Sequence, residues 1–223
     1  MSSIHTSGPL ARLWLPVIVL ALLSCSIVRG QVPEYAGSDP LASTKGKETA
    51  VLAGGCFWGV DAVFRHVKGV KMVVSGYSGG SSKTVSYQSV SRGNTGHAES
   101  VKITFDPAKV SYAQLLRIFF SVAMDPTQLN RQGPDEGPQY RSVIFYAGDT
   151  QKQVALAYID QLDKARVFSG PIVTQVVPFD HFVDAEPDHQ NYFASHLDDS
   201  YIIENDMPKL RALQKEFPEL YSR

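Results

Sequence analysis

A short apolar run, Ala50 to Ala53, passes through Gly54-Gly55 into a stretch whose apolar residues, Phe57, Val60, Val63, Phe64 and Val67, recur at helical spacing. A strand therefore feeds directly into an amphipathic helix. Gly69 closes that helix, and Val70 to Tyr77 is rich in β-formers until Ser78-Gly79-Gly80-Ser81-Ser82 interrupts it. Strand, helix and strand in so short a length make a βαβ unit, and the remaining elements have to pack around it.

The alternation continues. Glu99 to Phe105 reads as a strand ended by Asp106-Pro107, and Ser111 is placed to cap a helix running through Leu115, Leu116, Phe119 and Phe120. A polar segment from Asp125 to Gln139 carries Gly133, Pro134, Gly137 and Pro138, and a loop this long inside a domain is usually functional. Arg141 to Ala147 reads as a strand, Asp149 to Ala165 as a helix, Ile172 to Val177 as a strand and Asp188 to Leu197 as a short helix. The pattern predicts an α/β domain whose mixed sheet carries helices on its faces.

With 43% hydrophobic and 10% aromatic residues in 223, the chain can bury one ordinary core. That core is assigned to a single domain over residues 49–223. Ahead of it, Arg12 and the apolar run Leu13 to Leu23 fit an export signal over residues 1–30, too short for a final membrane span. Leu22-Leu23-Ser24-Cys25 also resembles a lipobox, so Cys25 is either a lipid anchor or is lost with the signal. Residues 31–48 mix Pro, Gly, Ser, Thr and Lys without apolar periodicity and read as a flexible tether. An exported protein, periplasmic or secreted, is the expectation. Lys+Arg 21 against Asp+Glu 22 leaves a net charge of -1, which argues against nucleic acid or an anionic lipid surface as partner.

Once Cys25 is set aside, Cys56 is the remaining cysteine, so no internal disulfide framework can form. It stands at the start of the first helix, where unsatisfied backbone N–H groups favour a negative sulfur. Such a position can bring a thiol pKa from about 8.5 into the range of roughly 3.5 to 7.5. Glycines on both sides would let a substrate approach. A buried structural cysteine is the plain alternative, and Phe57 and Trp58 immediately after it tilt the reading towards a site.

These residues carry a resemblance. Gly55-Cys56-Phe57-Trp58-Gly59 resembles the signature of type A peptide methionine sulfoxide reductases. Gly96-His97-Ala98-Glu99-Ser100-Val101 and the run Gly133 to Ser142 are similar to the second and third motifs of that family, and Ala185-Glu186, His189-Gln190 and Tyr192 resemble a fourth. The blocks stand in the family's order over residues 49–197, which is far more specific than a lone motif.

The resemblance implies a two-layer α+β sandwich around the βαβ core, ferredoxin-like, and reduction of the S epimer of methionine sulfoxide, free or in oxidised proteins. It assigns Cys56 as the nucleophile on the sulfoxide sulfur and Glu99 as the acid that protonates the departing oxygen. Tyr87 and Tyr140 would donate hydrogen bonds to that oxygen. Phe57 and Trp58 would enclose the S-methyl group, and Asp135 would hold the polar network or the substrate main chain. Glu99 and Asp135 beside Cys56 oppose thiolate formation. Neither a metal nor a bound cofactor is implied, and a monomer is expected.

The chain departs from the family in two places. Many relatives carry later resolving cysteines, and none follows Cys56 here, so the oxidised cysteine has to be reduced by an external thiol such as thioredoxin, glutaredoxin or glutathione. Asp188 stands before His189-Gln190 where the family usually has an aromatic. The tail from Asn205 to Pro218 is expected to be a packed helix without redox function. Two rival motifs fail on context. Gly76-Tyr77-Ser78-Gly79-Gly80 fits a nucleophile elbow served by His97, His181 or His189, yet no helix follows Ser78 directly. His189 and His196 lack a third metal ligand nearby.

Overall fold

The computed structural model describes residues 31–43 and 45–223. The export signal and Cys25 lie outside the described residues. In chain order the elements are β1 (Glu48–Gly54), α1 (Phe57–Arg65), β2 (Val70–Ser78), α2 (Tyr87–Val90), β3 (Ala98–Phe105), α3 (Tyr112–Ile118), β4 (Arg131–Gln132), β5 (Asp135–Glu136), β6 (Ser142–Tyr146), α4 (Asp149–Lys164), β7 (Gln175–Pro178), β8 (Phe182–Asp184), α5 (Tyr192–Ser195) and α6 (Met207–Glu216).

Six strands form one mixed sheet in the order β7-β6-β1-β3-β2-β8, and β4 pairs with β5 in a separate hairpin. The β6–β7 pair is parallel and the others are antiparallel. β1 and β2 therefore run in the same direction with β3 inserted between them. α1 crosses from β1 to β2 over β3, and α3 with the segment after it crosses from β3 to β6 over β1.

Alternation along β1 divides the core. Ala50 and Leu52 face the large apolar cluster with Phe57, Val60, Val63, Phe64, Leu115, Leu116, Val154, Tyr158 and Leu213, whereas Val51 and Ala53 face Ala98, Val143 and Phe145. Every helical contribution to these two clusters falls in the first. The helices expected on the faces of the sheet thus form one layer on a single face. Two crossovers of the same hand place α1 and α3 on the same side of the sheet. Val177, Phe179 and Phe182 pack on the other side.

Local chemistry sets the element ends. Ser111 caps α3 in a capping box with Gln114, accepting from the Gln114 N–H while Gln114 accepts from the Ser111 N–H. α3 passes into a buried π turn, Phe119–Ala123, that delivers the chain to the Asp125 loop. The helix expected over Asp188 to Leu197 is broken: a 3-10 turn at Pro187–His189 is separated from α5 by Asn191, which has a positive φ of 52°.

The tether reading is also corrected. Val32 is buried in the main cluster, and Tyr35 packs edge-on against Tyr158 at 5.6 Å. Tyr158 donates to the Pro33 carbonyl at 2.6 Å, Arg117 donates to the Val32 carbonyl at 3.0 Å, and Asp39 accepts from the Ala113 N–H at 2.8 Å. Polar composition hid this, because part of the hold comes from the Val32 and Pro33 carbonyls, which present no sequence signal.

Candidate active site

Cys56 occupies the N-cap of α1, at the turn where β1 ends. Gly55 has φ +92°, a conformation that L side chains rarely adopt, and a Cβ there would stand 2.6 Å from the Gln132 Cβ. At Gly54 a Cβ would meet Phe119 at 2.8 Å and Met124 at 3.2 Å. The glycines beside Cys56 therefore make room for the protein's own loop, not for a substrate as the sequence suggested.

The first free N–H of α1, that of Phe57, donates to Glu99 Oε2 at 3.0 Å. Glu99 reaches this position from β3, where it pairs with Tyr77 of β2, and is 1% exposed. Burial raises its carboxyl from 4.5 to about 8, against the pull of the Phe57 N–H, with Asp135 and Asp206 adding repulsion. Near neutral pH this carboxyl keeps its proton and can give it away.

Cys56 is 7% exposed. Burial, then the charges of Glu99 and Asp206, push its thiol well above the usual range, while the Trp58 N–H and Lys209 pull it down. The sulfur makes no full cap hydrogen bond, so the helix end acts on it only as partial charge. Of the opposing pulls read from the sequence, the helix terminus is the weaker: desolvation and the carboxyl charges exceed it, and the thiol form is favoured.

Around these two groups lies an aromatic wall. Tyr87 begins α2 with its N–H donated to Glu186 Oε1 at 2.8 Å, and its ring stacks on His189 at 4.1 Å. Phe57 is buried against Tyr77, His189 and Tyr87, at centroid distances of 5.8, 5.6 and 6.4 Å. Trp58 is half-buried, stacks on Tyr192 at 3.8 Å and donates from Nε1 to His189 Nδ1 at 3.2 Å. Of the two aromatics after Cys56, Trp58 is the one that reaches solvent. Burial lowers the His189 pKa, consistent with a neutral ring that accepts from Trp58.

The long loop supplies the remaining groups. Gln132 ties it down, donating to the Asp125 carbonyl at 2.7 Å and accepting from the Asp125 N–H at 2.9 Å. Asp135 in β5 accepts from the Tyr201 hydroxyl, and burial raises its carboxyl. Tyr140 lies half-buried in a 3-10 turn, its phenol raised by burial and then by Glu99. Tyr87 is raised by the same two causes in the same order. Both phenols feel charge from Glu99 and from Cys56, with Glu99 the larger at each.

A family profile described as peptide methionine sulfoxide reductase matches residues 48–220. The chain belongs to that family. It is 56% identical over 177 residues to a peptide methionine sulfoxide reductase, MsrA 2, of Mesorhizobium japonicum, covering 79% of this chain and 91% of the relative. Identity is 51% over 182 residues to an MsrA 2 of Synechocystis, covering 81% and 85% respectively. Among solved structures, reduced Mxr1 of Saccharomyces cerevisiae has a TM-score of 0.61 at 31% identity, covering 69% of this chain and 87% of that one. Methionine sulfoxide reductase A of Corynebacterium diphtheriae has a TM-score of 0.60 at 29% identity, covering 75% and 90%. The type A assignment and the reduction of methionine sulfoxide to methionine follow from this membership.

Sequence reasoning missed several residues of this reductase site. Tyr201 and Asp206 come from the tail, and Lys209 follows in α6. Glu186 accepts from Tyr77 Oη at 2.9 Å as well as from Tyr87, and its carboxyl is lowered by those bonds although burial opposes them. Gln190 extends the sheet edge with its side chain: Oε1 accepts from the Ser75 N–H at 3.0 Å, and Nε2 donates to the Ser75 and Ala185 carbonyls at 2.9 Å. The one available signal was that Glu186, His189 and Gln190 lay in a motif. Asp188 is exposed, so this departure from the reductase pattern faces water.

The rival motifs resolve plainly. Ser78 is buried and donates to the His181 carbonyl at 2.5 Å, not to an imidazole, and Gly79 turns the chain at φ +92°. His196 stacks on Tyr192 at 3.6 Å, away from the role of a ligand beside His189. Among the described residues no three His, Cys, Asp or Glu side chains are grouped to hold a metal ion.

Proposed function

We propose that this reductase takes the S epimer of methionine sulfoxide, free or within oxidised proteins, and passes through a sulfenic acid on Cys56. The observation that carries the reading is the fully buried Glu99, hydrogen-bonded to the helix start that carries the sulfur, where burial raises its carboxyl to about 8. Glu99 protonates the sulfoxide oxygen as Cys56 attacks the sulfoxide sulfur, with Tyr87 and Tyr140 donating to the same oxygen as charge grows on it. The thiol proton released by Cys56 returns to Glu99. In balance, Cys56–SH and R2S=O give Cys56–SOH and R2S: the oxygen moves to Cys56, whose sulfur loses the two electrons that the substrate sulfur gains. Trp58, over the buried Phe57, provides the apolar face for the S-methyl group. Asp135 orients the polar side of the substrate.

No cysteine follows Cys56, so the sulfenic acid is reduced from outside. A thiolate attacks its sulfur, water leaves with one added proton, and a second thiol then cleaves the mixed disulfide. A dithiol protein such as thioredoxin or glutaredoxin, or glutathione, supplies these electrons. We also propose export, with Cys25 as a lipid anchor or part of a removed signal, action on exposed methionines under oxidative stress, and a monomer. The strand order β6-β1-β3-β2, with crossovers over α1 and α3, supports the ferredoxin-like reading of the core.

Separated sulfoxide epimers incubated with the purified domain and dithiothreitol, beside Cys56→Ser, test the proposal. The expected result is conversion of the S epimer alone, with a sulfenic acid trapped on Cys56 when dithiothreitol is withheld. Activity surviving in Cys56→Ser would overturn it.

A further inference from the structure

The tail of this chain turns through Ile202–Asp206 into α6 and sets a charged pair under the start of α1. Asp206 is 0% exposed. Its Oδ1 accepts from Lys209 Nζ at 3.0 Å, and its Oδ2 has no hydrogen-bond partner among the described residues. Both groups press on Gly59, three residues beyond Cys56. A Cβ at Gly59 would overlap Asp206 Oδ1 and stand 2.8 Å from Lys209 Nζ. The last glycine of the Gly55-Cys56-Phe57-Trp58-Gly59 run therefore makes room for this pair.

The surroundings of the sulfur are otherwise acidic or neutral. Glu99 faces it from β3 and Asp206 from the tail, with Asp135 in β5 bearing on Glu99. The phenols of Tyr87, Tyr140, Tyr192 and Tyr201 also feel its charge, and the His189 ring packed on Phe57 is held towards its neutral form. Lys209 draws the thiol down, by less than Asp206 pushes it up, and it also draws down the Asp206 carboxyl that burial raises. Its side chain is 22% exposed and fixed at the tip by a fully buried carboxylate, so it keeps one position where a free lysine would sample many.

We propose that Lys209, held by Asp206 against Gly59, is a positioning residue whose ammonium supports the anionic form of the Cys56 sulfur each time the reaction makes it. This inference rests on the sulfenic acid route given above. The anion forms twice. It forms first as Cys56 gives up its proton and attacks the sulfoxide sulfur. It forms again when a second thiolate, R′S⁻, attacks the outer sulfur of Cys56–S–S–R: an R–S–S–R′ bond forms, the bond to Cys56 breaks, and the Cys56 sulfur leaves with the electron pair. On the proposed route each cycle ends on a disulfide between Cys56 and an outside thiol, so the second departure recurs in every turnover.

The test follows Cys56 alkylation by iodoacetamide against pH, together with single-turnover oxidation by methionine sulfoxide, in the parent, Lys209→Gln, Lys209→Met and Lys209→Arg. Lys209→Gln can keep a hydrogen bond to Asp206 without the charge, and it separates charge from packing. Lys209→Gln and Lys209→Met are expected to move the alkylation midpoint upward by about one pH unit and to slow single turnover about tenfold, while Lys209→Arg keeps most of the rate. A purely structural pair would leave the midpoint unmoved once folding is verified by circular dichroism. A folded Lys209→Gln with the parent's midpoint and rate overturns the inference while leaving the catalytic reading intact. Cys56→Ser activity is the separate result that overturns the reading itself.

Discussion

At the residue scale, desolvation decides the behaviour of the two central groups. Glu99 is protonated in the folded chain up to about pH 8, whereas an ordinary glutamate loses its proton near 4.5. Between those values the folded state holds more protons than the unfolded state, so this group makes stability fall as pH rises through that window. The same proton is the one delivered to the sulfoxide oxygen. Rate at limiting substrate should therefore decline above about pH 8, and Glu99→Gln should lose about 10²- to 10⁴-fold in kcat/KM and lose that alkaline limb, as read from a pH–rate profile. A limb that persists in Glu99→Gln assigns the acid elsewhere. Gly59 allows a second test, because two effects predict opposite signs. Helix propensity alone would make Gly59→Ala more stable by roughly 0.5–1 kcal/mol. Overlap with Asp206 predicts a loss of about 1–3 kcal/mol, and the overlap should win because Asp206 is fully buried and tied to Lys209, so moving it aside strains that bond. Chemical denaturation gives the sign directly.

At the element scale, α1 has to be held in register for its first turn to aim at Glu99, and a buried ion pair does this. Asp61 is 1% exposed and pairs with Arg65 one turn later. Arg65 also donates to the Val73 carbonyl at 2.6 Å, and Ser75 donates to Asp61 at 3.2 Å, so the pair binds α1 to β2. Arg65→Ala leaves a buried carboxylate with one hydroxyl. The expected cost is about 3 kcal/mol, the low end for a broken buried pair because Arg65 is partly exposed. A thermal melt should show a loss of about 2–4 °C for each kcal/mol, shrinking at acid pH where Asp61, already raised by burial, takes up a proton. An unchanged melt would assign the tie to packing alone. The elements themselves were largely legible: periodicity showed β1, α1, β3 and α4, and Ser111 marked the start of α3. The insertion of β3 between β1 and β2 was not, since strand order depends on contacts that no local pattern encodes. Within the site, Cys56 and Glu99 could be read from their motifs. Asp206 could not, because the glycine that gives it room, Gly59, lies far back in the chain and nothing local marks this aspartate as buried.

At the scale of the whole molecule, the segment before β1 belongs to the folded unit. Gln161 donates to the Glu34 carbonyl at 2.7 Å and accepts from the Ala36 N–H at 2.8 Å, adding to the bonds made by Tyr158, Arg117 and Asp39. The segment thus clips α3 to α4 across the helical layer, on elements that carry none of the groups around Cys56. Two physical costs attend its removal. Exposing the pocket of Val32 forfeits about 1.5–3 kcal/mol of apolar burial, and the Tyr158 hydroxyl left without the Pro33 carbonyl adds about 1–3 kcal/mol if water cannot reach it. A chain starting at Glu48 should accordingly melt about 6–12 °C below one starting at Gln31, taking about 3 kcal/mol and 2–4 °C for each. Its reductase activity at 25 °C, measured well below the melt, should match the longer chain. Equal melting temperatures would return residues 31–48 to the role of a loose tether, and a loss of activity without a loss of stability would mean that the clip also sets the geometry around Cys56.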